Sequence, residues 1–278
     1  MAVRRRPERA APGQHFLRSS RLAAALVRDA EVAPGDLVVD VGAGRGVLTR
    51  ALADAGAQVL ALELDPALAA QLRSRFEPRA GVTVLEVDAR TWRWPDRPFS
   101  VVSNLPFSGS GAILAHLLHD PRVRLERAVL IVQWELARKH AAVWPSPLRG
   151  TYWQAWFELT IAGRLSRSAF SPAPDVDAAV LRIRWRPRPH VSPQDHETYW
   201  RFIADTFRVQ APLEKALRSQ LTPREVRRLS AVLGFAAWAR PRDLDARQWA
   251  EVFAYARGRS SRRPEHDLDR RAATRRRA

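Results

Sequence analysis

The chain has 278 residues, 46% of them hydrophobic, and 46 Lys and Arg against 29 Asp and Glu give it a formal charge of +17. The lack of cysteine excludes disulfides, thiolate metal ligands and thiol nucleophiles, and seven scattered histidines form no HxxxH pair, so no metal site is expected. No apolar run reaches the roughly 18 to 20 residues of a membrane span. The opening MAVRRRPERAAPGQHF has no apolar stretch to serve as a signal peptide, so a cytoplasmic protein free of the membrane is expected. The charge points to a polyanionic partner, RNA or DNA before an acidic membrane surface.

In chain order, residues 1–12 read as a disordered basic arm, with Arg4, Arg5, Arg6 and Arg9 against Glu8. Ser19 to Ala30 sets Leu22, Ala25, Leu26 and Val27 on one face and predicts a helix packed on a sheet. From Leu37 short β-branched runs alternate with amphipathic stretches. Strands are predicted at Leu37–Val41, Val59–Glu63, Val82–Val87, Phe99–Ser103 and Ala128–Val132. Helices are predicted at Gly46–Ala55, from Pro66 to about Arg75, and at Ala112–Leu118. Two further strands, near Trp156–Ile161 and at Ala178–Arg184, finish a doubly wound α/β sheet with helices on both faces. After Arg186-Pro187-Arg188-Pro189 the β-branched runs cease. Helical spacing then runs over Asp195–Phe207, Leu213–Gln220, Arg224–Leu233 and Asp245–Ala256, with Thr222-Pro223-Arg224-Glu225 as a helix start. The expected organisation is a catalytic domain over 13–186, a small helical RNA-binding domain over 187–256 and a disordered tail over 257–278, which holds nine arginines and three acids.

Asp40-Val41-Gly42-Ala43-Gly44-Arg45-Gly46 falls at the end of the first predicted long strand, where open α/β sheets bind ligands. The sixth position of a dinucleotide fingerprint would be glycine, but Val47 stands there and the third glycine comes one residue early, at Gly46. An acid followed by GxGxG resembles the S-adenosylmethionine loop of class I methyltransferases, in which that acid orients the amino-acid end of the cofactor. Glu63, closing the next strand, can accept from both ribose hydroxyls, and Asp88, closing the third, from an adenine amino group. Each acid alone reads as a solvated strand end; three at successive strand ends after a glycine loop point to an adenosine-type cofactor.

Ser103-Asn104-Leu105-Pro106-Phe107 follows the next strand. It reads as a turn, since Asn and Pro favour one. It also carries a specific chemistry. The exocyclic nitrogen of adenine is a poor nucleophile because its lone pair is delocalised into the ring. The Asn104 oxygen and the Leu105 carbonyl, accepting its two hydrogens, would free that pair to attack a sulfonium methyl. Pro106 would stiffen the turn and Phe107 stack on the base, which offsets much of the cost of extruding it.

With these residues assembled, the chain resembles the rRNA adenine-N6 methyltransferases, and specifically the Erm group of macrolide-resistance enzymes that act on 23S rRNA. The resemblance covers about residues 13–184. It is carried by Gly13-Gln14-His15-Phe16-Leu17, similar to the family's GQNFL, by Asp40–Gly46, Glu63, Asp88 and Asn104–Phe107, and by Phe170-Ser171-Pro172-Ala173-Pro174-Asp175-Val176-Asp177, similar to FxPxPxVD. It implies a Rossmann-like, S-adenosylmethionine-dependent methyltransferase with a small C-terminal helical domain. It also implies cofactor contacts at His15, Leu17, Gly42, Gly44, Glu63, Asp88 and Asn104, catalysis by the Asn104-Leu105-Pro106-Phe107 turn, and a target adenine flanked by Phe107 and Phe170. His15 stands where the family more often has Asn, so a backbone contact is the expectation that survives there.

Val132-Gln133-Trp134-Glu135-Leu136-Ala137-Arg138-Lys139 looks like the QWExARK of actinobacterial Erm enzymes, whereas Leu105 is shared with the housekeeping small-subunit rRNA dimethyltransferases. The implied reaction is N6 methylation of an adenine in the peptidyl-transferase loop of 23S rRNA, taken as naked or precursor RNA by a monomer, with macrolide-lincosamide-streptogramin B resistance as its result. The alternatives are the small-subunit enzyme, a non-catalytic RNA-binding factor on the same fold, and a methyltransferase of DNA or a small molecule.

Overall fold

A computed structural model describes residues 14–142, 146–236 and 238–260, so the arm predicted over 1–12 lies outside the described residues. They form two compact units: residues up to Ala142 with Trp156–Pro189, and residues 146–155 with His190 onward.

The first unit is built on a seven-stranded sheet. In chain order its elements are β1 (Phe16–Leu17), α1 (Ser20–Asp29), β2 (Leu37–Val41), α2 (Val47–Asp54), β3 (Gln58–Glu63), α3 (Pro66–Phe76), β4 (Val82–Glu86), β5 (Phe99–Asn104), α4 (Ser110–Leu118), β6 (Leu125–Gln133), α5 (Trp134–Ala141), β7 (Phe157–Leu165), β8 (Phe170–Ser171) and β9 (Ala178–Trp185). The strand order is β4-β3-β2-β5-β6-β9-β7, with only β9 running against the rest. Every residue of β2 is buried, as a central parallel strand covered on both faces requires. The chain leaves β2 for β3 on one side and reaches β5 on the other, which makes the C-terminal end of β2 the switch point of the sheet.

Helices cover both faces. Leu26 and Val27 of α1 and Leu48 and Leu52 of α2 join Val38, Val59, Val102 and Val129 in one core, while Leu72 and Phe76 of α3 pack with Ala43 and Ala61 in another. Capping defines the starts: the Ser19 hydroxyl accepts from Leu22 N–H at 3.1 Å, and the Asp65 carboxylate accepts from Ala67 and Leu68 N–H at 2.8 and 3.1 Å, with Pro66 at the first helical position. A separate two-stranded ladder pairs β1 with β8, setting Leu17 opposite Phe170 across 153 residues of chain. No sequence pattern announces it, because two residues carry no period.

The second unit holds α6 (Leu148–Trp153), α7 (His196–Arg208), α8 (Leu213–Ala216), α9 (Pro223–Leu233) and α10 (Ala246–Ser260). Tyr199 and Trp249 are fully buried at its centre, with Phe253 edge-on to Tyr199 at 5.1 Å. The predicted start of α9 is present as a reciprocal capping box between Thr222 and Glu225. Three differences from the sequence expectation concern this unit and its borders. Residues 146–155 group with the C-terminal helices, although the sequence reads 13–186 as one domain. The helix expected over Leu213–Gln220 stops at Ala216, where Gln220 N–H turns back to Leu217 O. The tail expected to begin disordered at Arg257 instead continues α10 to Ser260, because Arg257 pairs with Asp195 and lies 5.6 Å over the Phe253 ring. The rest of the tail lies outside the described residues. No described helix is long and apolar enough to cross a membrane.

Candidate active site

The glycine loop forms because β2 must turn sharply into α2. Gly42, Gly44 and Gly46 have φ of 68°, 55° and 75°, a region unfavourable to any residue with a Cβ. Space matters as much as angle. A Cβ on Gly44 would lie 2.9 Å from the Phe16 ring, and one on Gly42 would lie 3.2 Å from Pro106 Cδ. Two bare positions thus let the loop seat against both the β1 segment and the Asn104–Phe107 turn.

Glu63 ties this loop to β3. One carboxylate oxygen accepts from Gly44 N–H at 2.8 Å, and the other from Leu64 and Asp65 N–H at 2.9 and 3.0 Å, with the residue 6% exposed. A carboxylate offers about four lone-pair positions. Three are taken, so the expectation that Glu63 accepts from both ribose hydroxyls narrows to about one open position.

Together these elements enclose a cavity of about 560 Å³, a size suited to a small cofactor. Among its lining residues are His15, Gly42, Gly44, Glu63, Asp88, Asn104, Leu105, Pro106 and Phe107. Leu17 and Phe170, expected in the site, are not. Leu17 is 6% exposed, in the core, and borders instead a pocket of about 30 Å³ beneath the glycine loop. Phe170 is 1% exposed and meets Phe107 edge-on with ring centroids 5.9 Å apart. A base does not fit between two rings in that arrangement. Phe170 is held there by its place opposite Leu17 in the small ladder.

The turn after β5 holds the most telling atom. Asn104 Nδ2 donates to the His15 carbonyl at 2.7 Å, which fixes the amide so that its oxygen is left over. That oxygen is buried and has no hydrogen-bond partner. An unpaired buried acceptor costs about 1 to 3 kcal/mol, and its presence at the edge of a ligand cavity marks a place for an incoming donor. The Pro106 carbonyl accepts from Gly109 N–H at 3.0 Å and the Phe107 carbonyl from Ser110 Oγ at 3.2 Å. Among the described residues the Leu105 carbonyl enters none of these turn bonds. The His15 ring lies 5.2 Å from the Phe107 ring, and its Nδ1 is 3.0 Å from the Pro172 carbonyl. Its side chain is thereby committed to packing, and its backbone oxygen to Asn104.

Asp88 lines the cavity from the end of β4, with both oxygens gripped by the Arg90 guanidinium at 2.6 to 3.0 Å. This hydrogen bonding holds its pKa below the usual carboxylate range. Arg90, which also lines the cavity, was not evident from the sequence; its signal is an arginine two residues beyond the acid in a turn.

Asp40 departs from its expected part at the amino-acid end of a cofactor. Asp40 is 1% exposed, its carboxylate accepts from Thr49 Oγ1 at 2.7 Å, tying β2 to α2, and it lines the small pocket beneath the glycine loop rather than the large cavity. Burial pushes its pKa up to about 7 from 3.8, with the nearby Glu63 charge adding to the rise and the Thr49 hydrogen bond opposing it. Between these values the folded chain binds the extra proton, so this group's contribution to stability falls as pH rises from 4 to 7. Chemical denaturation of Asp40→Asn should therefore show stability relative to the unsubstituted protein rising by about 4 kcal/mol between pH 4 and pH 8. A constant difference across that range would contradict the assignment.

A sequence profile described as ribosomal RNA adenine dimethylase matches residues 7–257. The chain belongs to that family. It is an S-adenosylmethionine-dependent rRNA adenine-N6 methyltransferase on a Rossmann-like sheet with C-terminal helices. It is 33% identical over 195 residues to an rRNA adenine N-6-methyltransferase of Corynebacterium diphtheriae, covering 70% of this chain and 76% of that one. It is 34% identical over 249 residues to a ribosomal RNA small subunit methyltransferase A of Thermosynechococcus vestitus, covering 85% and 92%. The crystal structure of the 23S rRNA methyltransferase ErmE superposes with a TM-score of 0.76 at 29% identity, covering 86% of this chain and 98% of that one. The cavity of this rRNA adenine methyltransferase suits the family's cofactor: its glycine loop is bare where a side chain would intrude, and carboxylates close two successive strands beside it.

Proposed function

We propose that the protein methylates N6 of one adenine in the peptidyl-transferase loop of 23S rRNA and so confers macrolide-lincosamide-streptogramin B resistance. The observation that carries the N6 chemistry is the buried, unpartnered Asn104 oxygen at the cavity. When bound, S-adenosylmethionine supplies an electrophilic methyl group; Gly42, Gly44, Glu63, Asp88 and the backbone at His15 would hold it. The Asn104 oxygen and Leu105 carbonyl accept the two N6 hydrogens and draw the nitrogen lone pair out of conjugation. Pro106 keeps the two acceptors in register. The Phe107 ring supports the base from its cavity side, and Phe170 braces Phe107 from behind. One such stack contributes roughly 1 to 3 kcal/mol, comparable to the few kcal/mol needed to extrude an adenine. The excess proton departs after methyl transfer, so the turn needs no group with a raised pKa.

The preference for 23S rRNA rests on Gln133–Lys139, where the QWELARK segment opens α5, and on the likeness to ErmE over nearly all of that chain. The substrate is naked or precursor RNA, bound in part by the helices beyond residue 187, and the enzyme acts as a monomer in the cytoplasm. The small-subunit reading is favoured by Leu105 and by the 34% identity to the Thermosynechococcus vestitus relative. Labelled methyl from S-adenosylmethionine, offered to protein-free 23S rRNA, 16S rRNA and assembled large subunits, separates them. Incorporation into free 23S rRNA alone is expected. Incorporation into 16S rRNA alone would overturn the assignment.

A further inference from the structure

Among its described residues the second unit displays one large aromatic side chain to solvent. Trp238 is 78% exposed, whereas Trp153 and Trp249 of the same unit are at most 1% exposed. A single exposed apolar residue is ordinary. What distinguishes this one is how firmly its backbone is mounted. Ala239 next to it is buried; its N–H donates to Ala236 O and its carbonyl accepts from Leu213 N–H, both at 2.9 Å. Two residues on, the Pro241 carbonyl accepts from the buried Trp249 indole at 3.0 Å. Asp243 closes the loop by accepting from Arg240 N–H at 2.8 Å. The indole therefore stands in water beside a backbone anchored on its C-terminal side, which lowers the ordering cost of stacking on it.

Positive charge follows it in the chain. Arg240 and Arg242 come two and four residues after it in the loop, and Arg224 and Arg228, one turn apart, lie on the exposed side of α9 in the same unit, which buries Val226, Leu229 and Ser230 on the other. Among the described residues none of these four guanidinium groups forms an ion pair, although Arg240 N–H donates to Asp243, whereas Arg227 pairs with Glu214 at 3.5 Å. An exposed aromatic ring followed in one loop by two arginines without ion pairs matches single-stranded nucleic acid, with the ring taking a base face and the guanidinium groups its phosphates.

We propose that Trp238 is a stacking site for an unpaired base of the RNA substrate, with Arg240 and Arg242 binding the adjoining phosphates. The proposal rests on the reading of the protein as an rRNA methyltransferase, and adds a contact distinct from the pocket for the methylated adenine. The test is binding of the full-length protein to a labelled RNA hairpin with a single-stranded loop, and to the same stem fully paired, across a salt series. Trp238→Ala is expected to weaken hairpin binding about 5- to 150-fold and to leave duplex binding and the salt slope unchanged. Trp238→Phe should retain most of the affinity, which separates stacking from support of the fold. Arg240→Gln and Arg242→Gln should each lower the salt slope by about 0.7. Trp238→Ala protein that binds the hairpin normally, or loses hairpin and duplex alike, would overturn the proposal while leaving the catalytic reading intact. So would a change of oligomeric state in that variant. An unsubstituted protein that binds neither RNA would overturn the rRNA reading itself.

Discussion

Asn104→Ala is expected to lower kcat for methyl transfer by about 10²- to 10³-fold, the usual cost of removing one preorganised group that acts on charge developing in the transition state. The KM for RNA should change little, because the phosphate contacts that dominate affinity lie elsewhere. Stability should fall by about 1 kcal/mol, since the variant loses one hydrogen bond, to the His15 carbonyl, and also removes an unpaired buried oxygen. Single-turnover methylation with saturating cofactor and RNA gives the rate, and a thermal melt confirms that the fold persists. Near-normal turnover would contradict the role given to the amide oxygen.

Glu63→Gln carries the second largest effect. The carboxylate of Glu63 accepts three backbone N–H groups through its two oxygens. A glutamine can accept through only one of its two terminal atoms. Its NH₂ must then face either Gly44 N–H or the Leu64 and Asp65 pair, donor against donor. The glycine loop loses its tie to β3, and a ribose hydroxyl loses its acceptor. With hydrogen bonds to charged groups worth about 1.5 to 3 kcal/mol, cofactor affinity measured by calorimetry should fall by about 10- to 150-fold. Undiminished affinity would leave Glu63 as a clamp on the loop and nothing more.

Periodicity made the sheet legible where strands are fully buried. Leu37–Val41 is an apolar run interrupted only by Asp40, and the structure starts and ends β2 at the same residues. Local chemistry made the start of α9 legible, because Thr222, Pro223 and Glu225 act within one turn. Strand β7 runs to Leu165, beyond the expected end at Ile161, because the register shifts between Ile161 and Gly163 and lets pairing with β9 continue past Ala162. Helix α6 escaped notice because six residues give too short a pattern.

At the site, residue types that act alone were legible, such as the glycines, Glu63, Asp88 and the Asn104 turn. What could not be read were partners brought together by the fold. The hydrogen bond from Asn104 to His15 spans 89 residues, and the Phe107 to Phe170 contact depends on a ladder two residues long. The motifs placed Phe170 beside a base; its burial behind Phe107 follows from packing that no spacing encodes. Asp40 misled for a related reason. An acid before a glycine loop suits a ligand, but Thr49 nine residues on captures it inside the core.

The most direct test of the central claim is to map modified adenines in rRNA from cells that express the protein, by primer extension through the peptidyl-transferase loop of 23S rRNA and mass spectrometry of the same fragment. N6 methylation is expected at a single adenine of that loop in cells with the unsubstituted protein, and its near absence with Asn104→Ala. An unmodified loop, with new methyl groups on 16S rRNA or on no rRNA at all, would contradict it.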